Sequence, residues 1–213
     1  MSHFVGLCFG SEYDLYLENY DESLEVDEYI VYTQEEALKA AKEQHISSYE
    51  HALYLLKTSN LSSEASDYYN QIINKGPVIT DEQAWKEIKN WGYHIDENKN
   101  ILSSYNPNAK WDWYCMGGRW SGFLYLKEKD DSGNRITTDQ ALVNEVDWDY
   151  MFEKNLIPFC CVTSDGEWYE RGEMGWFGVV NNESDKDSWT EEFKKQLNLE
   201  DEECLVTVID FHI

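Results

Sequence analysis

HFVGLCF (His3–Phe9) and CLVTVIDFHI (residues 204–213) stand at opposite ends of the chain, and their reading decides the fold. Both are short runs of β-branched, aromatic and other apolar residues, the pattern of strands buried in a sheet. Gly10 closes the first run. Two apolar terminal strands tend to pair at the centre of an α+β sheet. The expected fold is therefore α+β: a mostly antiparallel sheet with the N- and C-terminal strands central, helices (the longest included) packed on one face, and an acidic insertion. The chain reads as a single domain over 1–213. Within it, 11–75 forms an acidic and helical insertion and 101–180 a Trp/Gly-rich region.

Outward from the first strand, residues 11–38 carry ten carboxylates and no Lys or Arg, interleaved with Tyr13, Tyr16, Tyr20, Tyr29 and Tyr32. This is the composition of a surface excursion, with a short strand at 28–32. Thr33-Gln-Glu-Glu36 is a capping box and opens a helix whose apolar residues recur to Leu56. Thr80-Asp-Glu-Gln83 is a second capping box, opening a helix that carries Ala84, Trp85, Ile88 and Trp91 and ends at Gly92. Residues 93–102 have apolar ends around a polar turn, as a hairpin does. Strands are expected at 121–127, 158–163 and 177–180, with a hairpin partner for the second at 167–169. Helices are expected at 139–146 and 190–197.

The 213 residues carry 42 acidic and 17 basic side chains, a formal charge of −25. Such a surface repels nucleic acid and anionic lipid, so neither is an expected partner. It serves solubility, and it also suits a decoy for a basic nucleic-acid-binding groove. The five cysteines have no CxxC pair and no zinc spacing, which fits free thiols in a cytoplasm. Cys160 and Cys161, adjacent in a strand, should face opposite ways. The first residues have no basic and apolar leader, and no run reaches the ~20 apolar residues of a membrane span. Phosphate-loop, dinucleotide and nucleophile-elbow patterns are missing.

Chemistry concentrates in NPNAKWDWYCMGGRWSG (residues 106–122) and WYERGEMGWFG (residues 168–178). In a strand, Trp111 and Trp113 would share one face, with Asp112 and Tyr114 on the other. Gly117-Gly118 permits a tight turn whose amides can form an anion nest. A pocket built here would stack a ring on Trp111, Trp113, Tyr114, Trp120 and Trp176. Lys110, Arg119 and Arg171 would hold its charge. In the opposing reading the tryptophans plug the core and Arg119 pairs with a carboxylate such as Asp112. Glu170 and Glu173 flank Arg171 as acid–base candidates, or form a mutually satisfied ion-pair turn. If the terminal strands pair antiparallel, His3 approaches Asp210 and His212, a set able to hold a divalent metal or act as a base with its orienter; His212 is thus also a catalytic candidate. His45 and His51, six apart, share no helix face. No cofactor is expected.

These motifs together resemble an uncharacterised family of phage- and prophage-associated proteins. Its members begin MSHF, carry NPNxKWDWYxxGGRWSG and then WYERGEMGWWG, and end near DxHI. The matching positions are 1–4, 106–122, 168–178 and Asp210, His212 and Ile213, with Phe177 where the family has a second Trp; residues 11–60 have no counterpart. The resemblance implies a mobile-element origin. The leading expectation is a cytoplasmic protein that inhibits a host or anti-phage defence protein, such as a basic nuclease. It would make contact through Asp21, Glu22, Glu25, Asp27, Glu28, Glu35 and Glu36, with fast, salt-sensitive association. The alternative is a protein that binds or hydrolyses a nucleotide-like small molecule in the Trp/Arg pocket. A third is a toxin-immunity-type inhibitor.

Overall fold

The computed structural model of the protein describes residues 2–175 and 178–213. In chain order the first elements are β1 (His3–Phe9), α1 (Tyr13–Leu17), β2 (Tyr29–Tyr32), α2 (Gln34–Thr58), α3 (Ser63–Asn74) and α4 (Asp81–Ile88). Then come β3 (His94–Ile95), β4 (Ile101–Ser103), β5 (Trp113–Met116), β6 (Leu124–Lys129), β7 (Arg135–Thr138) and β8 (Gln140–Leu142). The chain ends with α5 (Trp148–Glu153), β9 (Cys160–Val162), β10 (Trp168–Glu170), β11 (Glu173–Met174), β12 (Val180–Asn181), α6 (Lys186–Leu197) and β13 (Leu205–His212). The fold is α+β, with β1 and β13 at the centre of a mixed sheet.

Contacts divide the chain into two compact units, Met1–Glu25 with Tyr105–Ile213, and Val26–Ser104. The inserted unit thus begins and ends later than the 11–75 drawn from composition, because charge marks exposure whereas packing marks the unit.

In the first unit the strand order is β10-β9-β1-β13-β5, and β8 also pairs with β13. β1 and β13 are antiparallel over their length, from His3 opposite His212 to Phe9 opposite Val206. Only the β1–β9 ladder is parallel among the pairs of this sheet. Cross-strand partners share a face. One face carries Val5, Leu7, Phe9, Cys161, Val206 and Val208 and packs on Met151 of α5 and Trp189, Phe193 and Leu197 of α6. The other carries Phe4, Cys8, Cys160, Val162, Ile209 and Phe211 and packs on Tyr13 and Leu17 of α1 and on Trp111. Cys160 and Cys161 therefore do face opposite ways. Burial of each large side chain contributes roughly 1.5–3 kcal/mol. Gly6 is required at the sheet centre: a Cβ there would collide with the Phe211 ring and sit 2.7 Å from the Cys160 sulfur.

All five cysteines are free. Burial pushes the thiols of Cys8 and Cys160 well up, and that of Cys161 to about 12.

The second unit has its own core. Both capping boxes form: Thr33 with Glu36 at the start of α2, and Thr80 with Gln83 at the start of α4. The buried face of α2, Ala37 and Ala41, packs with Ile79, Ala84, Ile88 and Ile101. β2, β4 and β3 form a three-stranded sheet, and the 93–102 hairpin is present.

Helices are expected on one face of the terminal-strand sheet, the longest included; instead α5 and α6 cover one face, α1 the other, and the longest helix, α2, packs in the core of the second unit, because its apolar residues meet Ile79, Ile88 and Ile101. Two local expectations also change in the first unit. Residues 139–146 are β8 and a 3-10 turn (Val143–Glu145), because Ala141 and its neighbours pair with β13. The strand expected at 121–127 starts at Leu124, because the turn before it occupies residues up to Gly122. The strand expected at 177–180 begins at Phe177, outside the described residues; β12 covers Val180–Asn181.

Candidate functional site

The register of β1, β13 and β5 places His3, His212 and Trp113 side by side on one sheet face. Two residues along the same face, Asp210 lies opposite Val5 on one side and Cys115 on the other. Asp210 is 1% exposed, and a buried carboxyl group needs hydrogen-bond partners. Oδ1 accepts from His3 Nδ1 at 2.9 Å, and Oδ2 accepts from the Arg119 amide at 2.9 Å. His212 Nδ1 pairs with Asp112 Oδ1 at 2.5 Å. The two imidazoles meet edge-on at 4.8 Å, and Trp113 stacks on His212 at 5.4 Å. The structure thus brings His3, Asp210 and His212 together as two adjacent His–Asp pairs. Each carboxylate takes one imidazole instead of converging with the others. Among the described residues no group of three His, Cys, Asp or Glu side chains is placed to hold a metal ion.

The Gly-Gly signature serves this arrangement. Gly117 and Gly118 have φ of +66° and +51°, and a Cβ on Gly118 would stand 2.5 Å from Asp210 Oδ2. A Cβ on Gly117 would collide with the carboxylate of Asp139, which accepts from Ser121 Oγ at 2.9 Å and from the Gly122 amide at 2.5 Å. The turn's amides are engaged within the protein: that of Gly117 donates to the Val208 carbonyl, that of Arg119 to Asp210 and that of Gly122 to Asp139. Burial, and secondarily the charge of Asp210, push the Cys115 thiol up, which leaves it a poor nucleophile.

His3 also lines a cleft of about 320 Å³. Its aromatic wall includes Trp120, Phe123 and Trp189, and its cations are Arg171 and Lys186. The indole of Trp189 is locked by donating to the Pro158 carbonyl at 2.7 Å. Arg171 reaches Glu183 at 2.8 Å through Nη2, while its Nε is buried with no hydrogen-bond partner among the described residues. An apolar wall with convergent charged groups is the usual build of a small-molecule site.

The remaining candidates separate. Trp111 and Trp113 do not share a face. The chain bends at Asp112, whose amide bonds to the His212 carbonyl, so Trp111 turns into the core against Tyr114 at 4.8 Å. Tyr114 donates to Asp14 at 2.8 Å; burial first and this bond second push its phenol well up. Lys110 is paired with Glu170 at 2.5 Å, and Glu170 also accepts from the Trp168 indole at 2.9 Å. Both contacts hold the Glu170 carboxylate within the protein's own hydrogen-bond network. Glu173 is exposed on β11, away from any mutual pair with Arg171. Arg119 contributes its backbone to Asp210 and leaves its side chain exposed, and Asp112 pairs with His212 instead of with it. Trp176 lies outside the described residues.

The acidic stretch is not one patch belonging to one unit. Asp21, Glu22 and Glu25 belong to the first unit, and Asp27, Glu28, Glu35 and Glu36 to the second. Several are already engaged: Asp21 accepts from Ser23, Glu28 pairs with His94 at 2.8 Å, and Glu36 caps α2, which holds its carboxyl below the usual range. The first unit as a whole has 29 acidic and 10 basic residues, a net charge of −19. His45, by contrast, is buried in the second unit against the Gly76 carbonyl at 2.9 Å.

Phe123, Trp189, Lys186 and Asp139 enter the site or its support without any signal in their own neighbourhoods, whereas Asp112 stands in the 106–122 motif but takes His212 as its partner. The strand register was the one clue, and it reaches only the His/Asp group. Among the described residues no helix is long and apolar enough to cross a membrane. Compared with protein-family models, curated proteins and solved structures, the chain matches none.

Proposed function

We propose that the first unit binds a nucleotide-like anion in the cleft beside His3. One observation carries the reading: Arg171 and Lys186 face the same aromatic-walled cavity in a unit where cations are outnumbered by almost three to one. A ring would lie on Trp120 and Phe123, and a phosphate would meet the two cations. A cavity of about 320 Å³ is near the small end for ligand sites, which favours a mononucleotide over a dinucleotide.

A second reading is the inhibitor of a basic host or defence protein, in the phage setting that the sequence resemblance implies. The net charge of −19 on the first unit favours it.

Calorimetry with nucleoside mono- and diphosphates, beside a salt-graded pull-down, separates the two. The first reading expects binding that Arg171→Ala weakens by about tenfold or more, equivalent to ~1.4 kcal/mol. Charge reversal at Asp21, Glu22 and Glu25 should leave that binding unchanged. Capture of a basic protein that is released by salt, without any nucleotide binding, would replace the first reading by the second.

A further inference from the structure

We propose that His3 is the general base for hydrolysis of a phosphoanhydride, an inference that rests on the cleft binding a nucleotide. Three observations meet at this residue. Its Nδ1 lies 2.9 Å from Asp210 Oδ1, and with Nδ1 donating there the other nitrogen of a neutral imidazole, Nε2, is the acceptor. Asp210 is itself fixed from the other side by the Arg119 amide, in a turn that needs glycine at 118 to let the carboxylate in. And His3 lines the same cleft as Arg171 and Lys186. A buried carboxylate that orients an imidazole toward a ligand cavity is the division of labour found in hydrolytic sites generally.

In the step itself, Nε2 of His3 takes one proton from a water molecule. The water oxygen bonds to the terminal phosphorus as the bond from that phosphorus to the bridging oxygen breaks. The electron pair leaves on the nucleoside phosphate, an anion that needs no proton from the protein. His3 then returns its proton to solvent. Arg171 and Lys186 stabilise the charge on the phosphoryl oxygens. Asp210 is a positioning residue, since it acts through the imidazole. His212, held by Asp112 and covered by Trp113, packs against His3 and fixes the ring plane.

The test uses the full chain with ADP and ATP, following binding by calorimetry and release of inorganic phosphate. The wild-type protein should release phosphate. His3→Gln should retain measurable binding and lose about 100-fold or more of the turnover. His3→Ala should recover part of its turnover when imidazole is added, an effect that a merely structural histidine would not show. If either His3 variant fails to fold, Asp210→Asn serves instead, with kcat expected to fall and KM to change little. Nucleotide binding without phosphate release by the wild type, or full turnover in His3→Gln, overturns the catalytic assignment and leaves the binding site standing. Absence of binding by either nucleotide overturns both.

Discussion

The two units are specified over very different distances along the chain. In the first, the contacts that matter join the ends: His3 reaches Asp210 across 207 positions, and β1 lies against β13 along its whole length. In the second, order begins within a turn. Thr33 and Glu36 satisfy each other three residues apart, Thr80 and Gln83 do the same, and β3 and β4 meet across a short hairpin. The first unit also buries a carboxyl group, at Asp210, whereas the acidic residues at the second unit's helix starts are exposed. Short-range order depends on caps and turns worth about 1 kcal/mol each. Long-range order depends on side-chain packing and on buried polar groups that must all be satisfied together. The candidate site lies where that second kind of order is densest.

The comparison predicts a graded set of stability losses. Phe211 packs on Phe4 at 5.4 Å and over Gly6, with no solvent access, so Phe211→Ala should cost ~3–5 kcal/mol in urea denaturation. A loss near ~1 kcal/mol would mean that this face collapses around the cavity and that the long-range core tolerates the loss of a large side chain.

Glycines sharpen the contrast at intermediate size. Gly118 and Gly76 both have positive φ, but a Cβ on Gly118 meets Asp210 and Cys115 below 3 Å, while one on Gly76 meets nothing within 4 Å. Gly118→Ala should therefore cost about 3 kcal/mol, combining strain with overpacking. Gly76→Ala should cost about 1 kcal/mol, from backbone conformation alone. Equal losses measured by thermal denaturation would show that backbone strain, and not the carboxylate, requires Gly118.

The smallest effect belongs to the local signals. Thr33→Ala should cost ~1 kcal/mol, and Thr33→Ser should restore most of it. Hydrogen exchange of the Glu36 amide, which donates to Thr33, reads this directly. A loss as large as that of Phe211→Ala would erase the distinction between the units.

Sequence reading was strongest where physics is local. Both capping boxes, the 93–102 hairpin and the opposed Cys160 and Cys161 follow from patterns a few residues long. The pairing of the terminal strands was also legible, because two apolar runs leave few alternatives for burial. That pairing brings His3, Asp210 and His212 together. The Trp/Gly signature misled in detail. Alternation assumes a continuous strand, and the bend at Asp112 sends Trp111 and Trp113 to different surroundings. Its glycines suggest a nest for a foreign anion, yet the Gly117 amide goes to the Val208 carbonyl and the amides of Arg119 and Gly122 go to carboxylates of the same chain.

By itself, then, the sequence determined the α+β class, the central strand pair, the helix starts of the second unit and the strongly negative charge. Each depends on residue type at short spacing or on the demand to bury apolar runs. Tertiary structure alone decided that Asp210 and Asp139 clamp the Gly-Gly turn, that Glu170 is tied to Lys110, and that Arg171 and Lys186 share an aromatic cleft with His3. Those outcomes depend on which distant side chains the folded sheet brings within hydrogen-bond reach, and no local pattern records that distance.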